Sequence, residues 1–154
     1  SVNVSAVEFR DRDFIDHFEQ LLRETAIDPT MLQLELTETA VMYDLDDAIA
    51  VLTRLRALGI AILLDDFGTG HSSLGILTTF ELDELKIDRS FLSDILTQPA
   101  RQRIFRAALD LGEALDLDVV VEGVEEEAIA AWLQQFPGLY GQGYYWGRPE
   151  QLKT

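Results

Sequence analysis

The sequence contains no cysteine among its 154 residues. This absence excludes a disulfide framework, a thiolate metal site and a cysteine nucleophile within the chain. Prolines number only four, whereas hydrophobic residues make up 47% of the sequence. Such a composition is not that of a disordered segment, and it predicts one folded domain with a sizeable buried core.

Basic residues are also scarce. The chain has 12 Lys and Arg against 28 Asp and Glu, which gives a formal net charge of −16 at pH 7. This charge would repel a nucleic-acid backbone or an anionic membrane surface, so we expect neither extended nucleic acid nor a membrane as a partner. A small phosphorylated ligand remains compatible if divalent cations lie between it and the carboxylates.

Long hydrophobic runs are missing as well. The apolar stretch 60–64 is far too short to cross a bilayer, and no signal-peptide pattern opens the chain. We therefore expect a cytoplasmic location, with any membrane anchor of the parent protein supplied by segments outside these residues. Since Ser1 begins within a strand-like pattern, we also expect an upstream segment.

Amphipathic helical patterns alternate along the chain with short apolar strand patterns. The helix predicted at 13–23 turns Phe14, Phe18 and Leu21 toward the core, and the next helix runs from Asp44 to Gly59. A further helix is predicted around 104–115, where Ile104, Ala108, Leu111 and Leu115 repeat at helical spacing, and another around 125–135. Strands are predicted at 31–36, 60–64, 84–87, 119–121 and 139–145. Apolar strands separated by helices predict a parallel sheet covered by helices, and therefore an α/β fold.

Polar residues stand where the apolar runs stop, at intervals of 20 to 36 residues. These residues are Asn3, Glu35, Asp65, Asp66, Lys86, Glu122 and Gln142. Because the carboxyl ends of parallel strands share one face, where active sites collect, all of these residues could converge. Taken singly, most are better explained as caps or solvated ends of elements.

Asp65 and Asp66 differ from the others because adjacent carboxylates directly after five apolar residues repel each other unless a cation binds there. The Gly-, Ser- and Thr-rich stretch 67–74 follows them. Loops of this kind place backbone N–H groups near phosphate. The pattern favours a metal site next to a phosphate-binding loop.

Six ordered motifs resemble those of EAL domains. The segment 65–70 reads DDFGTG, 35–38 matches the family's E-x-T-E, and 3–5 matches N-x-S. The K-I-D, E-G-V-E and Q-G-Y elements follow in the same order at 86–88, 122–125 and 142–144. The resemblance therefore covers essentially the whole chain.

The resemblance implies a fold and an activity. The fold is a TIM-like α/β barrel of which residues 1–154 form an incomplete part, strands three to eight, or about six of the eight strand-helix units. The activity is hydrolysis of one phosphodiester of cyclic di-GMP to linear pGpG, assisted by two divalent ions, Mg²⁺ or Mn²⁺. Hard oxygen ligands suit these ions.

The resemblance also implies residue roles. Asn3, Glu35 and Asp65 correspond to ligands of one metal ion, and Asp65 with Asp66 to ligands of the second. Glu122 corresponds to a carboxylate at the metal centre, and Lys86 to a lysine that orients the attacking water.

Two more positions carry family roles: Gln142 corresponds to a substrate-contacting glutamine and Glu38 to the anchor of the DDFGTG loop. We expect His17 and His71 to have no catalytic role, since one lies on the polar side of a helix and the other replaces a common aromatic residue.

The Glu-Ala-Leu signature and the first two barrel strands are not within this sequence. Three interpretations therefore stay open: part of an active phosphodiesterase, an inactive cyclic di-GMP receptor, or a remnant that binds no ligand. We expect the isolated 154 residues to be inactive and to self-associate through the strands at Asn3 and Tyr144. For the parent protein we expect a homodimer and an upstream sensory or GGDEF domain.

Overall fold

The structure is a computed structural model that describes residues 1–69 and 74–148, except for the side chains of Leu74 and Ile76. By internal packing the chain divides into two compact units, Ser1–Leu85 and Lys86–Thr154. Each unit is described by itself.

The first unit contains three parallel strands with their connecting helices. Its strands β1, β2 and β3 span Val2–Val4, Gln33–Thr37 and Ala61–Phe67, and they pair in that order. Its helices are α1 Ala6–Phe9, α2 Phe14–Thr25, α3 Glu38–Val41, α4 Leu45–Ala57 and α5 Leu74–Thr79, and a short 3₁₀ helix covers Pro29–Met31. Strand β4, Glu84–Ile87, spans the junction of the two units.

The second unit repeats the alternation of strand and helix. A 3₁₀ helix at Arg89–Leu92 is followed by α6 Pro99–Ala114, β5 Asp118–Val121, α7 Glu127–Leu133 and β6 Leu139–Gly141. Strands β5 and β6 pair in parallel. The predicted α/β fold class is confirmed, since each pair of parallel strands is joined through a helix.

Fully buried aliphatic and aromatic side chains form the core of each unit. In the first unit Leu34 and Leu36 of β2 pack with Ile62 and Leu64 of β3, all at most 1% exposed. In the second unit Phe105 is 0% exposed, and the centroid of its ring lies 5.3 Å from that of the Trp132 ring. Strands buried in this way read as continuous apolar runs, which is why periodicity located them correctly.

The structure corrects the predicted core faces of two helices. In α2 the buried residues are Ile15 and Leu22, while Leu21 is 56% exposed. In α6 Phe105 is buried instead of Ile104, which is 55% exposed. Apolar residues occur on both sides of these helices, so spacing alone does not identify the side that packs.

Two predicted strands have different bounds. Met31 belongs to the 3₁₀ helix, and β2 begins only at Gln33. The final strand ends at Gly141, so Tyr144 lies in a turn and not in a strand. The strand predicted to include Tyr144 is therefore shorter than expected, and self-association through it stays a prediction. In the described part of the chain, every helix is too short or too polar for a membrane span.

Candidate active site

Three of the predicted metal ligands lie on one face of the β1–β2–β3 sheet. Asn3 is the register partner of Glu35, and Glu35 is the register partner of Leu63. Asp65 follows Leu63 by two residues in β3 and so projects from the same face. The order of the strands thus brings Asn3, Glu35 and Asp65 together, although they are 62 residues apart in sequence from first to last.

Glu35 lies in the middle of β2 and not at its end. It is 7% exposed, and its Oε1 accepts a hydrogen bond from the Ser1 hydroxyl. A buried carboxylate requires such donors or a cation, because loss of water destabilises its charged form. The sequence did not identify Ser1 as a neighbour, since the contact depends on strand register.

Asp65 and Asp66 also belong to their strand, β3, where the sequence placed them beyond its end. Asp66 has a left-handed backbone with φ of +56°. Its N–H donates to Asp65 Oδ1 at 2.9 Å, and its carbonyl oxygen accepts from the Thr69 hydroxyl at 2.9 Å. A non-glycine residue in this conformation is strained, and such strain is concentrated at functional sites.

The loop after β3 is described only in part. Phe67 is buried, Gly68 has a φ of +88°, and residues 70–73, including His71, lie outside the described residues. Glu38, the predicted anchor of this loop, is the first residue of α3 and is 7% exposed. Its anchoring role stays a prediction.

Lys86 and Glu122 form an ion pair in the second unit. Lys86 Nζ lies 2.5 Å from Glu122 Oε1, with side-chain exposures of 5% and 25%. Lys86 is in β4, and Glu122 directly follows β5, where its N–H donates to the Ile87 carbonyl at 3.0 Å. The pair therefore lies at the carboxyl ends of two strands and places an ammonium group and a carboxylate side by side.

Gln142 follows β6 and is exposed. Its N–H donates to the Val121 carbonyl at 2.8 Å, and its own carbonyl accepts from the Val124 N–H at 3.0 Å. These two bonds fix the segment after β6 against the segment that begins with Glu122. They leave the Gln142 side chain available at the carboxyl end of the strand.

Two glycines next to these residues allow close backbone approaches. A Cβ on Gly143 would lie 2.1 Å from the Val124 carbonyl oxygen. A Cβ on Gly123 would lie 2.5 Å from Arg89 Cβ, and its φ is +67°. The glycines of the E-G-V-E and Q-G-Y motifs are thus required by packing and conformation.

Arg89 was not among the residues that the sequence analysis selected. It is exposed, and its aliphatic stem lies against Gly123, the residue after Glu122. The sequence held one signal for it, because Arg89 directly follows the K-I-D element at 86–88.

The resolved pKa shifts concern surface groups. Glu8 accepts hydrogen bonds from the hydroxyl and the N–H of Ser5, and these bonds lower the pKa of its carboxyl below 4.5.

In α2, His17 is exposed beside Phe14, Phe18 and Leu21 and lies with none of the predicted ligands.

The first unit offers oxygen atoms of the kind that bind a hard divalent cation. It offers the amide oxygen of Asn3 and the carboxylates of Glu35 and Asp65 on one face, and oxygen is the ligand atom that Mg²⁺ and Mn²⁺ prefer. Within residues 1–69 and 74–148, no three side chains of His, Cys, Asp or Glu are grouped as a metal site. The amide of Asn3 is therefore needed to complete a set of three protein ligands.

Relatives of known name match almost the whole chain. It is 40% identical over 149 residues to the signaling protein YkoW of Bacillus subtilis, covering 97% of this chain and 19% of that protein. It is 39% identical over 152 residues to the cyclic di-GMP phosphodiesterase NbdA of Pseudomonas aeruginosa, covering 99% of this chain and 19% of that protein. The chain thus spans about a fifth of these relatives.

Solved structures have the same fold. The PaMucR phosphodiesterase in complex with c-di-GMP has a TM-score of 0.88 and 38% identity, over 96% of this chain and 60% of that one. The Klebsiella pneumoniae BlrP1 complex with manganese and cyclic di-GMP has a TM-score of 0.85 and 32% identity, over 96% of this chain and 38% of that one. The predicted fold class, part of a TIM-like barrel, is confirmed by this likeness.

The EAL domain family model matches residues 1–149. The match includes all six motifs on which the resemblance was based. Together with the likeness in sequence and structure to proteins of this kind, it shows that the chain belongs to the EAL domain family.

Proposed function

We propose that the complete EAL domain containing these residues hydrolyses one phosphodiester of cyclic di-GMP to linear pGpG, with Mg²⁺ or Mn²⁺ as the metal. The observation that carries the proposal is the pair of Lys86 and Glu122, a largely buried ammonium and carboxylate 2.5 Å apart at the carboxyl ends of β4 and β5. The names of NbdA and PaMucR support the same activity, since both are described as phosphodiesterases.

Asn3, Glu35 and Asp65 would hold one ion, and Asp65 with Asp66 would contribute to the second. The place of Glu122 at the metal centre stays a prediction from the family motifs. When bound, divalent cations neutralise part of the phosphodiester charge and supply Lewis acidity. BlrP1 is known in complexes with calcium and with manganese, which supports a site for divalent ions in this family.

Lys86 and Glu122 would position the nucleophile. The ammonium group donates a hydrogen bond to the carboxylate, which fixes the two groups side by side, and Lys86 would orient the attacking water from this position. Glu122 can accept a proton from that water, because a general base must lie within hydrogen-bond reach of the group that it deprotonates. The low exposure of Lys86 limits competition from bulk solvent.

Gln142 and Glu38 would complete the site. The exposed Gln142 carries an amide that can bind the nucleobase or ribose of the ligand through both donor and acceptor atoms. Glu38 would hold the DDFGTG loop over the site from its buried position at the start of α3.

The test is an assay of pGpG formation by the complete domain and its Asp65→Asn variant, with Mg²⁺ or Mn²⁺. The variant keeps the size of the side chain but lacks the charge that a metal ligand provides, so turnover is expected to fall by at least about 100-fold. The matched control is Asp118→Asn, at the exposed amino end of β5, which should keep wild-type turnover. Unchanged turnover in folded Asp65→Asn protein would contradict the proposal.

A receptor without turnover is the alternative outcome of the same experiment. Cyclic di-GMP binding by the wild-type domain without pGpG formation would identify it.

We expect the isolated 154 residues to show no appreciable turnover, because they correspond to 60% of the PaMucR phosphodiesterase chain. For the parent protein we propose a homodimer in the cytoplasm. We also propose a further GGDEF or sensory domain, and the name of MucR, a bifunctional diguanylate cyclase and phosphodiesterase, supports a second domain of this kind.

A further inference from the structure

Arg89 has an extended contact with the backbone beside Glu122. Its Cβ, Cδ and Cγ lie 2.5, 3.2 and 3.4 Å from the position that a Cβ on Gly123 would occupy. The stem of the arginine therefore crosses the residue that directly follows Glu122. The missing side chain at Gly123 leaves the space for it.

The charge of Arg89 has no partner among the described residues. No carboxylate in residues 1–69 or 74–148 lies within ion-pair distance of it. The carboxylate of the neighbouring Asp88 accepts the Ser90 N–H at 2.9 Å and caps the 3₁₀ helix.

The surroundings favour an anionic ligand for this group. Lys86 forms an ion pair with Glu122, and Arg89 adds a positive charge three residues after Lys86 in sequence, with its stem against Gly123, the residue after Glu122. A guanidinium binds phosphate oxygens through two parallel hydrogen bonds, which a lone ammonium does not. Its packed stem limits the conformational entropy that is lost on binding.

We propose that Arg89 is a substrate-binding residue whose guanidinium contacts a phosphate oxygen of the cyclic dinucleotide. The inference rests on the proposed function, because it takes the ligand to be cyclic di-GMP. It adds a second cationic side chain of the second unit, beside Lys86, to the residues proposed to act on the ligand.

The test uses the complete domain and two variants of Arg89. Arg89→Gln keeps carbons at the three stem positions that pack on Gly123 and replaces the guanidinium with an uncharged amide, whereas Arg89→Lys retains a charge without the guanidinium fork. We expect Arg89→Gln to raise KM about tenfold, the size of one lost charge-assisted hydrogen bond. Its kcat should stay within about twofold of wild type, because the contact is made equally in the ground and transition states.

The control variant is Arg103→Gln, which removes the same charge from α6. The helix buries Phe105, Ala108 and Gly112, so Arg103 lies on its solvent side. This control should keep the wild-type KM, and Arg89→Lys should fall between wild type and Arg89→Gln. Calorimetric titration of cyclic di-GMP in the presence of Ca²⁺ should give the same order of Kd values.

A wild-type KM and Kd in Arg89→Gln would overturn the inference while leaving the proposed function intact. An equal rise of KM in Arg103→Gln would also overturn it, since the effect would then come from net charge. A wild-type domain that neither binds nor hydrolyses cyclic di-GMP would overturn the proposed function and this inference with it. Equal melting temperatures of Arg89→Gln and wild type would confirm that the stem packing is retained.

Discussion

At the residue scale, the second unit buries the charged side chain of Lys86. The side chain is 5% exposed and is held by a carboxylate that is itself only 25% exposed. Removing water from two charges costs free energy that their attraction only partly recovers. The pair is therefore better explained by chemistry at the site than by its contribution to stability.

Removal of one partner tests this interpretation. Lys86→Met should lower the free energy of unfolding by about 2–3 kcal/mol, because Glu122 is left with an uncompensated charge in a poorly hydrated position. The double variant Lys86→Met/Glu122→Gln should recover most of this loss but remain inactive. Urea denaturation gives the free energies.

Arg103→Met is the control for removal of a positive charge, and it should change stability by less than about 0.5 kcal/mol. A double variant as unstable as Lys86→Met would contradict the charge argument and point to lost packing of the lysine stem.

At the scale of elements, the carboxyl ends of β5 and β6 are held together by backbone contacts. Val124 donates to the Gln142 carbonyl at 3.0 Å and accepts from the Tyr145 N–H at 3.1 Å. Gly143 lies between these bonds with no room for a side chain. The position of Gln142 relative to Glu122 therefore depends on this glycine.

Gly143→Ala should destabilise the protein by about 2–4 kcal/mol, since the added methyl group would meet backbone atoms that cannot move aside. The reference variant is Gly147→Ala, where an added Cβ has no neighbour within 4 Å. It should be neutral within about 0.5 kcal/mol. Similar melting temperatures for the two variants would show that the turn after β6 adapts more easily than its geometry indicates.

The capping box of α1 gives a second prediction for an element. Ser5 and Glu8 exchange hydrogen bonds at the start of the helix, and these bonds lower the pKa of Glu8 below 4.5. Because the pKa is lower in the folded state, the box stabilises α1 above the unfolded pKa and is lost as pH falls through the folded pKa. Ser5→Ala should raise the pKa of Glu8 toward 4.5.

A carbon-detected NMR titration of the Glu8 carboxyl measures this shift. Asp28 provides an internal reference, since its pKa is lowered by hydrogen bonds from Thr30 in a separate turn and should not change in the Ser5 variant. An unchanged Glu8 titration would mean that the capping box is not formed in solution.

At the scale of the whole molecule, the net charge of −16 opposes folding through repulsion between carboxylates. Salt screens this repulsion, so an increase of NaCl from about 0.02 to about 0.2 M should raise the melting temperature. KCl at the same ionic strength should have the same effect, because screening does not depend on the identity of the cation.

Mg²⁺ at matched ionic strength should raise the melting temperature of the complete domain further, because a ligand that binds only the folded state stabilises it. Asp65→Asn should lose this additional increase and keep the response to NaCl. An additional increase of equal size in the variant would assign the effect to general binding by surface carboxylates, and Asp65 would then not be a metal ligand.

The sequence by itself determined the α/β class, the order of the elements and the candidate residues. Buried parallel strands form continuous apolar runs, and Asp44 and Gly59 mark the ends of α4 through local backbone chemistry. The motifs are equally local, because each consists of a few adjacent residues. The roles of all the candidate site residues stay predictions: Asn3, Glu35, Glu38, Asp65, Asp66, Lys86, Glu122 and Gln142.

Only the tertiary structure decided which side chains meet. The pairing of Lys86 with Glu122 across 36 residues, the register of Asn3 with Glu35, and the stem of Arg89 on Gly123 depend on how strands align and how closely backbones approach. The core faces of α2 and α6 were decided in the same way. Spacing along a chain is a local property, whereas register and burial are set by the packing of distant segments.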